Sequence, residues 1–178
     1  MKLTIPDPAL VLLVGPAGAG KSTFAQAHFR PTEIISSDAI RAMLADDPAD
    51  QSASAEAFQI LSIMLNGRLR RRLTTVVDAT NLRSANRRRF AKIAGRHGVE
   101  VVVIAFDLPA QLYLARNAGR TERIVEKRVV AEQAERMRLT LADLVVEEYA
   151  AVHVLREPDT LGLIQVGRGD RRERGRES

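Results

Sequence analysis

Apolar positions along the chain fall into short unbroken runs separated by long mixed stretches. The runs stand at 10–14 (LVLLV), 33–36 (EIIS), 75–78 (TVVD), 99–106 (VEVVVIAF) and 152–155 (VHVL). The strongest, VLLV and VVVIAF, are continuous and not alternating, as strands covered on both faces are. The mixed stretches at 54–72, 84–97 and 121–148 carry no breaker and read as helices. Strand–helix alternation predicts an α/β fold, a parallel sheet flanked by helices on both faces. Ligands of such sheets sit beyond the carboxyl ends of the strands, so those ends carry the chemistry to look for. Residues 46–50 (DDPAD) read as a loop. Residues 167–178 are almost devoid of apolar side chains and read as a disordered basic tail or linker start, which leaves 1–166 as one domain.

The first strand runs into GPAGAGKS at residues 15–22, and a helix-compatible segment follows, TFAQAHF at 23–29. This fits G-x-x-x-x-G-K-S in the strand–turn–helix context that makes it a phosphate loop. Gly15, Gly18 and Gly20 open backbone conformations closed to residues with a Cβ, so several N–H groups can point inward. The following helix adds its positive N-terminal end. Lys21 is placed as a point charge on the β- and γ-phosphates, and the Ser22 hydroxyl as a Mg²⁺ ligand. The nucleotide-binding set is Gly15, Gly18, Ala19, Gly20, Lys21, Ser22 and Thr23, with ATP and Mg²⁺ as the expected cofactors.

Three strand ends add candidates. The second ends in SSDAIR, where Asp38 could accept the proton of an attacking hydroxyl and Arg41, one turn on, could hold an acceptor phosphate. The competing reading is that Ser37 or Asp38 merely caps a helix over 39–44. The third ends in VVDATN. Asp78 could steer Mg²⁺, and it competes with Asp38 for that role. Alternatively it is a polar strand terminus, with Thr80 or Asn81 opening a turn. After the fourth strand, RNAGRTER places Arg116, Arg120 and Arg123 around one glycine. They suit a lid that closes on the triphosphate, or else a solvated helix–loop–helix corner.

Charge changes this picture little. The net charge is +5, of which the arginine-rich tail from Arg168 carries +2. A mildly basic body is compatible with a polyanionic substrate without demanding one. The arginines at 68, 70, 71, 72, 87, 88 and 89 read as solvated helix faces. His28, His97 and His153 lack metal-ligand spacing, and Met43, Met64 and Met137 read as core filler. No cysteine is present, which excludes disulfides and thiolate metal sites and suits a reducing cytosol. No apolar run reaches the ~20 residues of a bilayer span, and MKLTIP is too short and mixed for a signal peptide. A cytoplasmic protein without membrane contact is expected.

Together GPAGAGKS, SSDAIR, VVDATN and RNAGRTER resemble the 5′-hydroxyl polynucleotide kinase family of phosphate-loop phosphotransferases. The likeness is strongest to the kinase modules of bacterial polynucleotide kinase-phosphatases and covers most of the chain. It implies a five-stranded phosphotransferase sheet of order 2-3-1-4-5 and transfer of the γ-phosphoryl of ATP to the 5′-OH of RNA or DNA in end repair. It casts Asp38 as general base and Arg41 as the acceptor-phosphate ligand. Arg116 and Arg123 become lid arginines, with Arg120 beside them. It further implies phosphatase and ligase-like domains in the same polypeptide. A homodimer is compatible with it. Two alternatives stand beside this reading. One is a small-molecule or sugar-nucleotide kinase on the same scaffold. The other is a nucleotide switch, against which stands the lack of N-K-x-D, T-K-x-D and D-x-x-G signatures.

Overall fold

The computed structural model of the chain describes residues 2–119 and 125–170. Its elements run β1 (Lys2–Asp7), β2 (Ala9–Val14), α1 (Lys21–His28), β3 (Ile34–Ser36), α2 (Ser37–Ala45), α3 (Ser54–Arg70), β4 (Thr75–Asp78), α4 (Ser84–Arg96), β5 (Glu100–Phe106), α5 (Ala110–Ala118), α6 (Lys127–Val146), β6 (Ala151–Leu155) and β7 (Gln165–Asp170). Five strands form one parallel sheet in the order β3-β4-β2-β5-β6. Counting those five strands along the chain, this is 2-3-1-4-5, as expected.

Strand β2 lies at the centre and is buried along its whole length. Its pleat sends alternate side chains to opposite faces. Leu10, Leu12 and Val14 pack with Leu61 and Leu65 of α3 and Phe90 of α4. Val11 and Leu13 pack with Phe24 of α1, Tyr113 of α5 and Ile5 of β1. Truncating one of these leucines to alanine costs about 2–5 kcal/mol, so the sheet is a rigid base for what stands on its edge.

The register brings the strand ends level. Ser36 and Leu13 both lie opposite Asp78, and Val14 lies opposite Ala105. The phosphate loop, the start of α2 and the turn after β4 therefore share one edge. Among the described residues no helix is long and apolar enough to cross a membrane.

The tail boundary is corrected. Residues 167–170, expected to be disordered, belong to β7, which pairs in parallel with β1 as a second, two-stranded sheet. Polar side chains suffice there because backbone pairing supplies the contacts. Arg168 also donates to Glu33 Oε2 at 2.7 Å. Burial works against ionisation of Glu33, but Arg168 and the Arg30 N–H outweigh it and hold the carboxyl below its usual pKa. The rest of the expected tail lies outside the described residues.

Candidate active site

The loop after β2 forms a backbone cup. The Gly15 N–H donates to Thr80 O at 3.0 Å, tying the cup to the end of β4. Gly18 and Gly20 adopt φ of +83° and +89°, the left-handed region. A Cβ on Gly18 would lie 2.4 Å from the carbonyl oxygen of Tyr113, so only glycine fits. Tyr113 is itself fixed: its hydroxyl donates to Phe106 O at 2.8 Å and accepts from Leu108 N–H at 2.6 Å. Burial pushes this phenol up to about 12, which keeps it a neutral donor. Gly20 caps α1 without a side chain, and the first turn holds no acid. The positive end of that helix is thus left for an anion.

Lys21 folds over the cup and donates from Nζ to Gly15 O at 2.9 Å and Pro16 O at 2.8 Å. The Ala17 N–H donates to Gln133 Oε1, 2.8 Å away on α6. A glycine-rich turn, a lysine and a helix start with no acid in its first turn suit a triphosphate. Ala19 is wholly buried and Thr23 exposed, and neither lines the cleft.

Opposite the cup stands α2. Its cap is Ser36, whose Oγ accepts from Ala39 N–H at 3.3 Å. Capping is the competing explanation for Ser37 or Asp38, and the structure gives the cap to Ser36, ahead of both. Asp38 Oδ1 instead accepts from Arg41 Nη2 in an ion pair and from Ser37 Oγ at 3.3 Å. Arg41 is buried and its Nε also donates to Pro48 O at 3.0 Å, while the Asp38 side chain remains 36% exposed. Asp78 is buried at the tip of β4. Lys21, Ser22, Asp38, Arg41 and Asp78 all line one cleft of about 1290 Å³.

Arg116 sits beside the cup, its Nη1 3.4 Å from where a Cβ on Gly20 would lie. Arg120 and Arg123 lie outside the described residues. Buried Asn117 bridges the two ends of that connection: its Nδ2 donates to Val125 O at 2.6 Å, and its Oδ1 accepts from Val125 N–H at 3.0 Å.

Several residues escaped the sequence reading. Gln133, Arg136 and Glu132 of α6, and Asn86 and Arg89 of α4, form cleft walls. The α6 residues share a helix face, but packing alone decides that this face meets the cup. Arg87, expected in solvent, is wholly buried. It donates from Nε and Nη2 to Glu147 at 2.8 and 2.9 Å, and from Nη1 to Asn81 O at 2.9 Å. Burial opposes its charge, yet Glu147 outweighs this and raises its pKa above the usual arginine value. Met43 and Met64 are exposed, and only Met137 of the three expected core methionines is buried.

Comparison with known proteins agrees with this architecture. A family model described as an AAA domain matches residues 10–144. The Arabidopsis thaliana transcription factor bHLH140 is 32% identical over 112 residues, which is 63% of this chain but 12% of that protein. Among solved structures, a chain of the Pnkp1/Rnl/Hen1 RNA repair complex superposes with a TM-score of 0.65 at 21% identity, over 78% of this chain and 47% of that one. A gluconokinase from Sinorhizobium meliloti 1021 gives 0.56 at 18% identity, over 89% and 88%. The AvrRxo1-ORF1:-ORF2 complex with ATP gives 0.63 at 16% identity, over 85% and 55%. These structural likenesses are of fold. The family match spans the cup, the Asp38 wall and most of α6, and so the chain belongs to the AAA domain family, with a phosphate-loop kinase-like fold.

Proposed function

We propose that this chain transfers the γ-phosphoryl group of ATP to the 5′-hydroxyl of an RNA or DNA strand. The observation that carries this reading is the Asp38–Arg41 ion pair standing in the same cleft as Lys21 and Ser22. A carboxylate beside an arginine suits an acceptor that brings both a hydroxyl and a phosphate. Arg41 holds the phosphate that follows the first nucleoside, and Asp38 accepts the proton of the 5′ oxygen. That oxygen bonds to the γ-phosphorus as the bond to the β–γ bridging oxygen breaks, and ADP leaves. Lys21 and the cup N–H groups stabilise the charge spreading over the phosphoryl oxygens, the dominant contribution in this chemistry. Arg116, and Arg120 and Arg123 beyond it, act as lid arginines over the triphosphate. Magnesium held by Ser22, with Asp78 or Asp38 beside it, would offset charge on the β- and γ-phosphates. Phosphatase and ligase-like domains in the same polypeptide, a homodimer and a cytoplasmic setting belong to this reading as expectations.

A second reading has one observation in its favour: the fold likeness to a gluconokinase extends over 88% of that enzyme. A small-molecule or sugar-nucleotide kinase would use the same cup. Incubation with γ-labelled ATP decides between them. Label on a 5′-OH oligonucleotide, with none on gluconate, shikimate or a UDP-sugar, is the expected result. Label on a small acceptor alone overturns the strand-end assignment.

A further inference from the structure

Helices α3 and α4 enclose a second groove of about 540 Å³. Gln59 and Arg89 line both this groove and the active-site cleft, so the two are continuous. Each helix starts at the cleft edge of the sheet and delivers the chain to the opposite edge, where a parallel strand begins. The groove therefore leads down and away from the site. Arg89, Lys92 and Arg96 line it on one face of α4, at spacings of three and four residues. Two turns separate the first from the last, about 10 Å along the axis. The sequence of α4, SANRRRFAKIAGR, contains no acid. Among the described residues no carboxylate pairs with these three exposed cations. Arg87, Arg128, Arg138 and Arg156, by contrast, each have an acidic partner. The α3 wall contributes neutral Gln59 and Asn66, with Ile63 72% exposed between them.

We propose that this groove is the path of the acceptor strand, binding the phosphates that follow the first nucleotide on its 3′ side. The proposal rests on the polynucleotide kinase reading and deepens it. A row of uncompensated cations at helix-turn spacing matches a repeating polyanion. A sugar acid or sugar phosphate carries its charge on a single group and would be satisfied at Arg41. The amides of Gln59 and Asn66 can bond phosphate or sugar oxygens, and Ile63 offers an apolar contact to a sugar or base. Among the described residues no aromatic side chain lines the groove, so stacking does not select sequence there. The chemistry recognised is a single-stranded backbone, RNA or DNA.

The test uses a Lys92→Gln/Arg96→Gln double variant, because neither residue lines the cleft. Two 5′-OH acceptors are compared, a dinucleotide and a single-stranded decamer, at several salt concentrations between about 50 and 200 mM. The expected wild-type behaviour is a KM for the decamer about tenfold below that of the dinucleotide, equivalent to about 1.4 kcal/mol. The double variant loses that advantage and leaves the dinucleotide unchanged. Its log–log salt slope for the decamer becomes shallower by about 1.4, at ~0.7 per phosphate contact on a single strand. A variant that keeps the length advantage and the slope overturns the groove, as does one that weakens both acceptors equally. A wild type that labels both with equal KM also overturns the groove but leaves the kinase reading intact. A wild type that labels neither overturns both.

Discussion

The two sides of the cleft are made by opposite means. The donor side is backbone: residues 15–22 form a continuous cup whose shape depends on two left-handed glycines and a lysine folded back on the loop's own carbonyls. The side proposed for the acceptor is side chain: Asp38 and Arg41 come from α2, Arg89 from α4, and Gln133 and Arg136 from α6. The cup is built from its own segment and held by a few close neighbours, Tyr113, Phe106, Thr80 and Gln133. The acceptor side needs three helices held in register by contacts far from the chemistry. A binding surface made of N–H groups is therefore local in the chain, whereas one made of charged side chains is distributed, and its specificity is set by packing.

The strongest way to break this division is to remove what holds the acceptor side together. Arg87→Met leaves the largely buried Glu147 without its cation, with only the Tyr149 hydroxyl still bonded to it, and unties α4 from the end of α6. Loss of one member of a buried pair costs about 3–5 kcal/mol, which for a chain of this size lowers Tm by about 10 °C. A thermal melt showing less than about 1 kcal/mol would mean the pair contributes no more than a surface one.

Next comes Asp38→Asn, which separates the two sides chemically. The expected loss of kcat is on the order of 10²–10⁴, with ATP affinity by titration unchanged. A fall in ATP affinity would move Asp38 to the metal site and dissolve the distinction.

Arg168→Ala is a control that lies outside both sides. Glu33 has a depressed pKa in the folded chain, so its contribution is present above the unfolded carboxylate value of about 4.3 and is lost as pH falls through the folded value. The variant should be about 1 kcal/mol less stable at neutral pH, with the difference closing below about pH 4. Denaturant curves across pH that stay parallel down to acid would show that Glu33 is not the partner that matters.

The smallest effect concerns a contact between the cup and α6. Gln133 Oε1 accepts from the Ala17 N–H, a donor that a phosphate oxygen would otherwise take. A neutral hydrogen bond of this kind is worth about 1 kcal/mol, so Gln133→Ala should tighten ATP binding by roughly two- to fivefold. Weaker ATP binding would instead make Gln133 part of the nucleotide site.

The sequence made the cup legible because its requirements are local. The glycine spacing, the apolar run before it and the breaker-free segment after it lie within one stretch of chain. The sheet was legible for a related reason: buried parallel strands must be continuously apolar, and the five expected runs fall within one residue of β2 to β6. Strand β7 was not legible, since its polar residues gain a partner only when β1 lies alongside. The capping alternatives at Ser37 and Asp38 were one and two residues off because Ser36, Ser37 and Asp38 are all good cap residues.

Consecutive arginines mark the limit most clearly. Arg87, Arg88 and Arg89 are identical in type and adjacent in sequence, yet Arg87 is sealed against Glu147 while Arg89 opens onto the cleft and the groove. A helix turns about 100° per residue, so neighbours must face different surroundings. What those surroundings are depends on where α6 and α3 lie. The chain by itself determined a phosphate cup on a parallel sheet, because backbone conformation and strand burial are written in contiguous residues. Which charges face the acceptor and which are locked in the core was decided only when distant helices packed together.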